Sequence, residues 1–134
     1  MNKNKPVTIS LQALLLADHI YKDTVSGKYI IAGTFHQLNV PAFPATFGKT
    51  VGVFVSLCGV KGKTGINLEF LDTSTGKVLM HTQSLEISCD TTELSVDFAI
   101  EVPPLPLPHA GRYLFRLAAD GNILGEVAVI AHSP

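Results

Sequence analysis

The residues that could do chemistry in this chain are few and scattered. Its five histidines are His19, His36, His81, His109 and His132. None stands at the i, i+2 or i, i+4 spacing that puts two ligands on one face of a strand or helix, and no cysteine pair joins them, so no metal site is expected. Asp18 and His19 are neighbours, which on a strand sends their side chains to opposite faces and away from a common substrate atom. Gly48-Lys49-Thr50 and Gly62-Lys63-Thr64 end like phosphate loops. The glycine that a phosphate loop needs five residues earlier is replaced by Phe43 and Leu57, and strand-like rather than helical sequence follows. Both read as turns. No serine occupies a Gly-x-Ser-x-Gly elbow, and the sequence orients no histidine toward Cys58. The chain is therefore read as a non-enzyme with no catalytic set, cofactor or metal.

Composition narrows the partners. Charged residues are only 16% of the chain, against about 25% for ordinary soluble domains. The net charge of −1 supplies no basic field for nucleic acid or for an anionic membrane. Such a surface is either rich in Ser, Thr, Gly and small apolar groups or covered by self-association or a protein partner. That makes a protein–protein interaction or self-assembling module the first expectation. A small-ligand or carbohydrate-binding sandwich is the alternative, weakened by the absence of Trp and the presence of only Tyr21, Tyr29 and Tyr113. Asp18, which interrupts the most apolar stretch, reads as a strand-end carboxylate bonding turn backbone or pairing with Lys22 or Lys28; as a functional group it would be an anchor at a pocket mouth.

The two cysteines, Cys58 and Cys89, read as free thiols of a reducing compartment, and the chain as cytoplasmic. Lys3 and Lys5 before an apolar run mimic a signal peptide. Thr8, Ser10 and Gln12 break that run at every second position, as a strand does, and Leu15 stands where a cleavage site wants a small residue. No apolar run is long enough to span a bilayer as a helix.

The elements that must position these residues all alternate with period two. Residues 1–6 are expected to be a disordered tail and 7–134 a single domain, long enough to bury roughly two thirds of its unfolded surface. Strands are expected over Val7–Ile20, Lys28–Val40, Val51–Leu57, the Ile66 to Phe70 region, Val78–Ile87 and Leu94–Val102. The first two, joined through a turn at Gly27, form a long hairpin. Pro41–Thr46 and Pro103–Pro108 read as stiff sheet-to-sheet connectors, the first with Phe43 and Phe47 plugging the core.

The strongest pattern is Leu107 to Val129. Pro108 and Gly111 mark a corner, Tyr113, Phe115 and Leu117 share one face, and Asp120-Gly121 reverses the chain into a last strand. A Leu-Pro-x-x-Gly-x-Tyr sequence before a late strand resembles the tyrosine corner, whose phenol bonds backbone a few residues upstream. Gly76 marks a turn chemically like that at Gly27, and Arg112 and Arg116 are left on the outer face, free for a partner. Together this predicts an all-β fold: a two-sheet antiparallel sandwich of about eight strands, Greek-key or immunoglobulin-like, with a tyrosine-corner-like turn before the C-terminal hairpin.

The spacing of Asp18, Gly27, Lys28, Gly33, Phe35, Pro41 and Pro44, with the Pro-rich, Gly-x-Tyr and Asp-Gly elements near the C-terminus, resembles a family of small bacterial proteins known as a domain of unknown function. The resemblance implies a fold over nearly the whole chain, including Val7–Ile20, and carries no activity across.

Overall fold

The computed structural model describes residues 9–134. The proposed tail and the start of the first strand at Val7 lie outside the described residues. The fold is all-β, with twelve strand segments in two main sheets and one small ladder. The first sheet has the order β2-β1-β5-β9, from Tyr29–Thr34, Ser10–Lys22, Val51–Cys58 and Val96–Val102. The second has the order β3-β12-β11-β6-β7, from Gln37–Asn39, Asn122–His132, Gly111–Ala119, Gly62–Asp72 and Val78–His81, with β8 (Leu85–Cys89) also on β6. β4 (Ala45–Phe47) and β10 (Leu105–Leu107) pair with each other.

Alternation builds the core. Val51, Val53, Val55 and Leu57 of β5 turn one face inward, and Leu68 and Phe70 of β6 with Tyr113, Phe115 and Leu117 of β11 face them from the other sheet. Phe70 is the centre of an aromatic stack, 5.1 Å from the Tyr113 ring and 4.9 Å from Phe115.

The sandwich is cut into more pieces than periodicity predicts. The expected strand Lys28–Val40 breaks after Thr34, and its continuation, β3, runs parallel to β12 in the other sheet. Gly33, at φ 78°, supplies the break. The expected strand Val78–Ile87 splits because Thr82 replaces a ladder bond with its side chain: its N–H donates to the Leu68 carbonyl, while its Oγ1 accepts the Leu68 N–H at 3.0 Å. Leu94 is no part of the sixth expected strand; it lies in the preceding turn, 61% exposed. The two proline-rich connectors do carry a ladder, Leu105 to Phe47 and Leu107 to Ala45. It has only two strands, so the missing N–H of Pro106 costs no second partner.

The β1–β2 hairpin is shorter than the long one expected, because the second strand breaks after Thr34 and only Ala17–Lys22 pairs with Tyr29–Thr34; it packs against β5. Tyr29 meets Phe54 at 5.5 Å between ring centroids, and Ile20 fills the space above Gly52.

Candidate functional site

One cluster of polar side chains stands out, where the β6–β7 turn meets the corner before β11. The turn is Asp72-Thr73-Ser74-Thr75-Gly76-Lys77. Asp72 N–H donates to the Lys77 carbonyl, Gly76 N–H donates back to the Asp72 carbonyl, and Gly76 takes φ 73°, which a side chain would oppose. One carboxylate oxygen of Asp72, Oδ1, accepts from the Ser74 N–H at 2.9 Å and the Ser74 hydroxyl at 2.7 Å. The other, Oδ2, accepts from Nε2 of His109 at 2.6 Å.

His109 belongs to the corner itself. The Tyr113 hydroxyl donates to the His109 carbonyl at 2.6 Å and accepts the His109 N–H at 3.3 Å, which is the tyrosine-corner bond. Its ring stacks at 5.7 Å on Tyr113, and its Nδ1 donates to the Ala110 carbonyl at 2.7 Å. Both ring nitrogens thus act as donors, which is the geometry of an imidazolium. Its pKa is raised, first by the Ala110 carbonyl and then by Asp72. Burial would push the Asp72 carboxyl up, but the Ser74 and His109 donors together hold it below its ordinary value. Burial likewise raises the pKa of the Tyr113 phenol.

Serine, histidine and aspartate therefore meet, without the wiring of a nucleophilic triad. A general base needs a free ring nitrogen on the serine, with the carboxylate on the other. Here the carboxylate holds Nε2, the nitrogen nearest Ser74 (3.3 Å), and a backbone carbonyl holds Nδ1. The Ser74 hydroxyl donates its hydrogen bond to Asp72 instead. The cluster works as a clasp between turn and corner.

Beside the clasp lies an open groove of about 450 Å³, lined by Pro44, Pro106 and Pro108, by Ala45, Leu79 and Leu107, and by Asp72, Thr75, Lys77 and His109. No aromatic side chain apart from the imidazole lines it, so it lacks the stacking platform a sugar site uses.

The structure places the other singled-out residues as follows. Asp120 (φ 47°) and Gly121 (φ 85°) make the tight β11–β12 reversal, and Asp120 also accepts the Gly65 N–H at 3.0 Å. Gly111 has φ 139°, beside the corner, and Gly27 has φ 74° in its own turn. Asp18 is not at a strand end, since β1 runs on to Lys22; it packs against Gly33, and among the described residues it makes no ion pair with Lys22 or Lys28. It lines an open concavity of about 440 Å³ with Lys49 and Thr50. Arg116 is not free, because its Nε donates to Glu126 at 2.7 Å across the hairpin. The Arg112 side chain remains exposed, its carbonyl accepting from Thr73. Cys58 and Cys89 are free and half-buried. No group of three or more His, Cys, Asp or Glu side chains is placed to hold a metal among the described residues.

Asp72, Ser74 and His109 escaped sequence reasoning as a group, because His109 stands 35 residues from Ser74 and 37 from Asp72 along the chain. The available signal was the recurrence of Asp-Thr-x-Ser/Thr-Gly-Lys at 23–28 and 72–77, which marks both aspartates as turn residues.

Fold and clasp together define an all-β sandwich closed by a tyrosine corner. The chain belongs to the family of unknown function DUF6941, whose model matches residues 12–131. No curated protein sequence matches it. Among solved structures, it is similar in fold to a Pseudomonas fluorescens alkylpurine DNA glycosylase, AlkC, bound to DNA containing an abasic site analogue. The TM-score is 0.55 at 9% identity over 92% of this chain, and the chain spans 30% of that protein. An immunoglobulin-like protein from Pseudomonas aeruginosa is matched at TM-score 0.44 and 10% identity, over 96% of this chain and 100% of that one.

Proposed function

We propose that the chain is a non-catalytic module that acts by self-assembly, adding the β2 edge of one copy to the β2 edge of another. The observation that carries this is the contrast among sheet edges. An unpaired strand is a template for a second chain, and proteins normally blunt it with charge, brevity or breaks. β9 carries Asp97 and Glu101, β3 is three residues long, and β7 and β8 are interrupted. β2, Tyr-Ile-Ile-Ala-Gly-Thr, has neither charge nor proline, and Ile30 and its neighbour Tyr21 are 54% and 53% exposed.

The ladder also favours one register. Because Asp23 N–H donates to the Lys28 carbonyl, the alternate residues Ile30 and Ala32 bond β1, and the peptide groups of Tyr29 and Ile31 point outward. An antiparallel pair centred on Ile30 sets Tyr29 against Ile31 twice and covers each exposed Ile30 with the other. Lys28 then falls opposite Ala32, with no like charges facing. The clasp supports the non-catalytic half of the reading, since it leaves Ser74 without a base. Two free thiols fit a cytoplasmic setting.

Light scattering after gel filtration tests this. The expected result is a dimer in the wild type and a monomer of unchanged circular dichroism for Ile30→Lys. A wild type that stays monomeric at high micromolar concentration rules the pairing out.

A further inference from the structure

A second site goes beyond self-assembly and involves none of the β2 residues. The groove beside the clasp is about 450 Å³, large enough to admit a large side chain. Its lining includes three prolines, Pro44, Pro106 and Pro108, and the aliphatic Leu79 and Leu107. Proline rings pack well against aromatic rings, and the lining holds no aromatic of its own apart from the His109 imidazole.

Its polar lining is asymmetric in charge. The Asp72 side chain is only 4% exposed and is spent on Ser74 and His109, whereas the His109 side chain is 42% exposed. One ring face of His109 is taken by Tyr113, and the ring borders the groove as a cation whose N–H groups are both in use. It offers a visitor a charged face and no hydrogen bond, which suits a π-system. Lys77 also lines the groove, exposed, with no ion-pair partner among the described residues. With Asp72 and His109 offsetting each other, Lys77 leaves the rim one positive charge in excess. The complement is an aromatic ring with a carboxylate close beside it.

The groove is open along one side. A free small molecule would leave much of its surface in water there, while a side chain anchored in a longer segment has the rest of that segment to cover the opening. We propose that this groove is a docking site for a partner polypeptide, receiving an aromatic side chain against its prolines and His109 while an adjacent acidic residue pairs with Lys77.

The chain has no Trp, so a Trp-containing probe can be excited and read without background. Acetyl-Ala-Glu-Trp-Glu-Ala-amide, titrated with the intact protein, is expected to show a saturable blue shift of its emission. Lys77→Glu, at an exposed turn position, is expected to weaken binding at least tenfold with the denaturation midpoint unchanged. Replacing both probe glutamates by lysines is expected to do the same. No saturable shift with the acidic probe, or equal affinity for acidic and basic probes, overturns the assignment. N-acetyl-tryptophan binding as tightly as the peptide overturns the polypeptide occupant in favour of a free aromatic acid. Since Ile30→Lys lies outside the groove, it is expected to bind the probe like wild type. The groove and the β2 edge therefore stand or fall separately.

Discussion

The β1–β2 and β6–β7 turns are the same object in two settings. Both read Asp-Thr-x-Ser/Thr-Gly-Lys, at 23–28 and 72–77. In both, the Asp N–H donates to the Lys carbonyl, the Gly N–H donates to the Asp carbonyl, and the Gly takes a φ of 73–74°. In both, the hydroxyl at position four accepts the Lys N–H at 3.2 Å, Ser26 from Lys28 and Thr75 from Lys77.

The difference is in what lies beyond the turn. Asp23 spends both oxygens locally, on Val25 and Ser26, and its pKa is lowered first by the Ser26 hydroxyl. Asp72 gives one oxygen to its turn and reserves the other for His109, 37 residues away, and it is buried. The lesson is that a self-sufficient turn becomes a tertiary joint when one of its acceptors is redirected.

Substitution of the two aspartates tests that lesson most severely. Asp72→Ala strips the turn and leaves His109 without its carboxylate, so it is expected to give the largest loss of denaturation midpoint in this set, several-fold that of Asp23→Ala. Equal losses would mean that the clasp adds nothing to the turn. Next in size, Tyr113→Phe removes the hydroxyl that satisfies the His109 carbonyl inside the corner, an expected cost of about 1–2 kcal/mol. An unchanged urea midpoint would show the corner bond to be dispensable.

The smallest effect is the most specific. His109 has a folded pKa above its ordinary 6.5, so its contribution to stability is complete below that pH and is lost as pH rises through the folded value. Asp72 has a folded pKa below its ordinary 3.8, so its contribution is present above that pH and lost on further acidification. The clasp is therefore strongest between these limits. The stability difference between wild type and His109→Gln is expected to shrink as pH rises above about 6.5 and to shrink again on acidification below about 3.8. A difference independent of pH would show that His109 packs there uncharged. The neighbouring Tyr113 phenol, raised by burial, changes charge only at more alkaline pH.

How much was legible in advance depended on range. The tyrosine corner and the Asp120-Gly121 reversal were readable because each is made by residues within a few positions of one another, where residue type dictates backbone conformation directly. The alternation of Val51, Val53, Val55 and Leu57 was readable for the same reason. The break after Thr34 was not, since Gly33 marks a flexible point without saying which sheet the chain joins next. The β4–β10 ladder was hidden because proline argues against pairing in general but forbids it only where both strand edges are used. Arg116 looked free because its partner, Glu126, is across a hairpin whose register only the assembled ladder defines.

The sequence by itself determined the fold class, the corner, the turns and the lack of any local catalytic motif, since period-two patterning and turn chemistry act over a few residues. Only the tertiary structure decided that His109 meets Asp72, that three prolines from two connectors line one groove, and that β2 is left as an uncharged, unbroken edge of six residues. Each of these depends on which strands become neighbours, which is set by the burial of the whole core rather than by any segment of the chain.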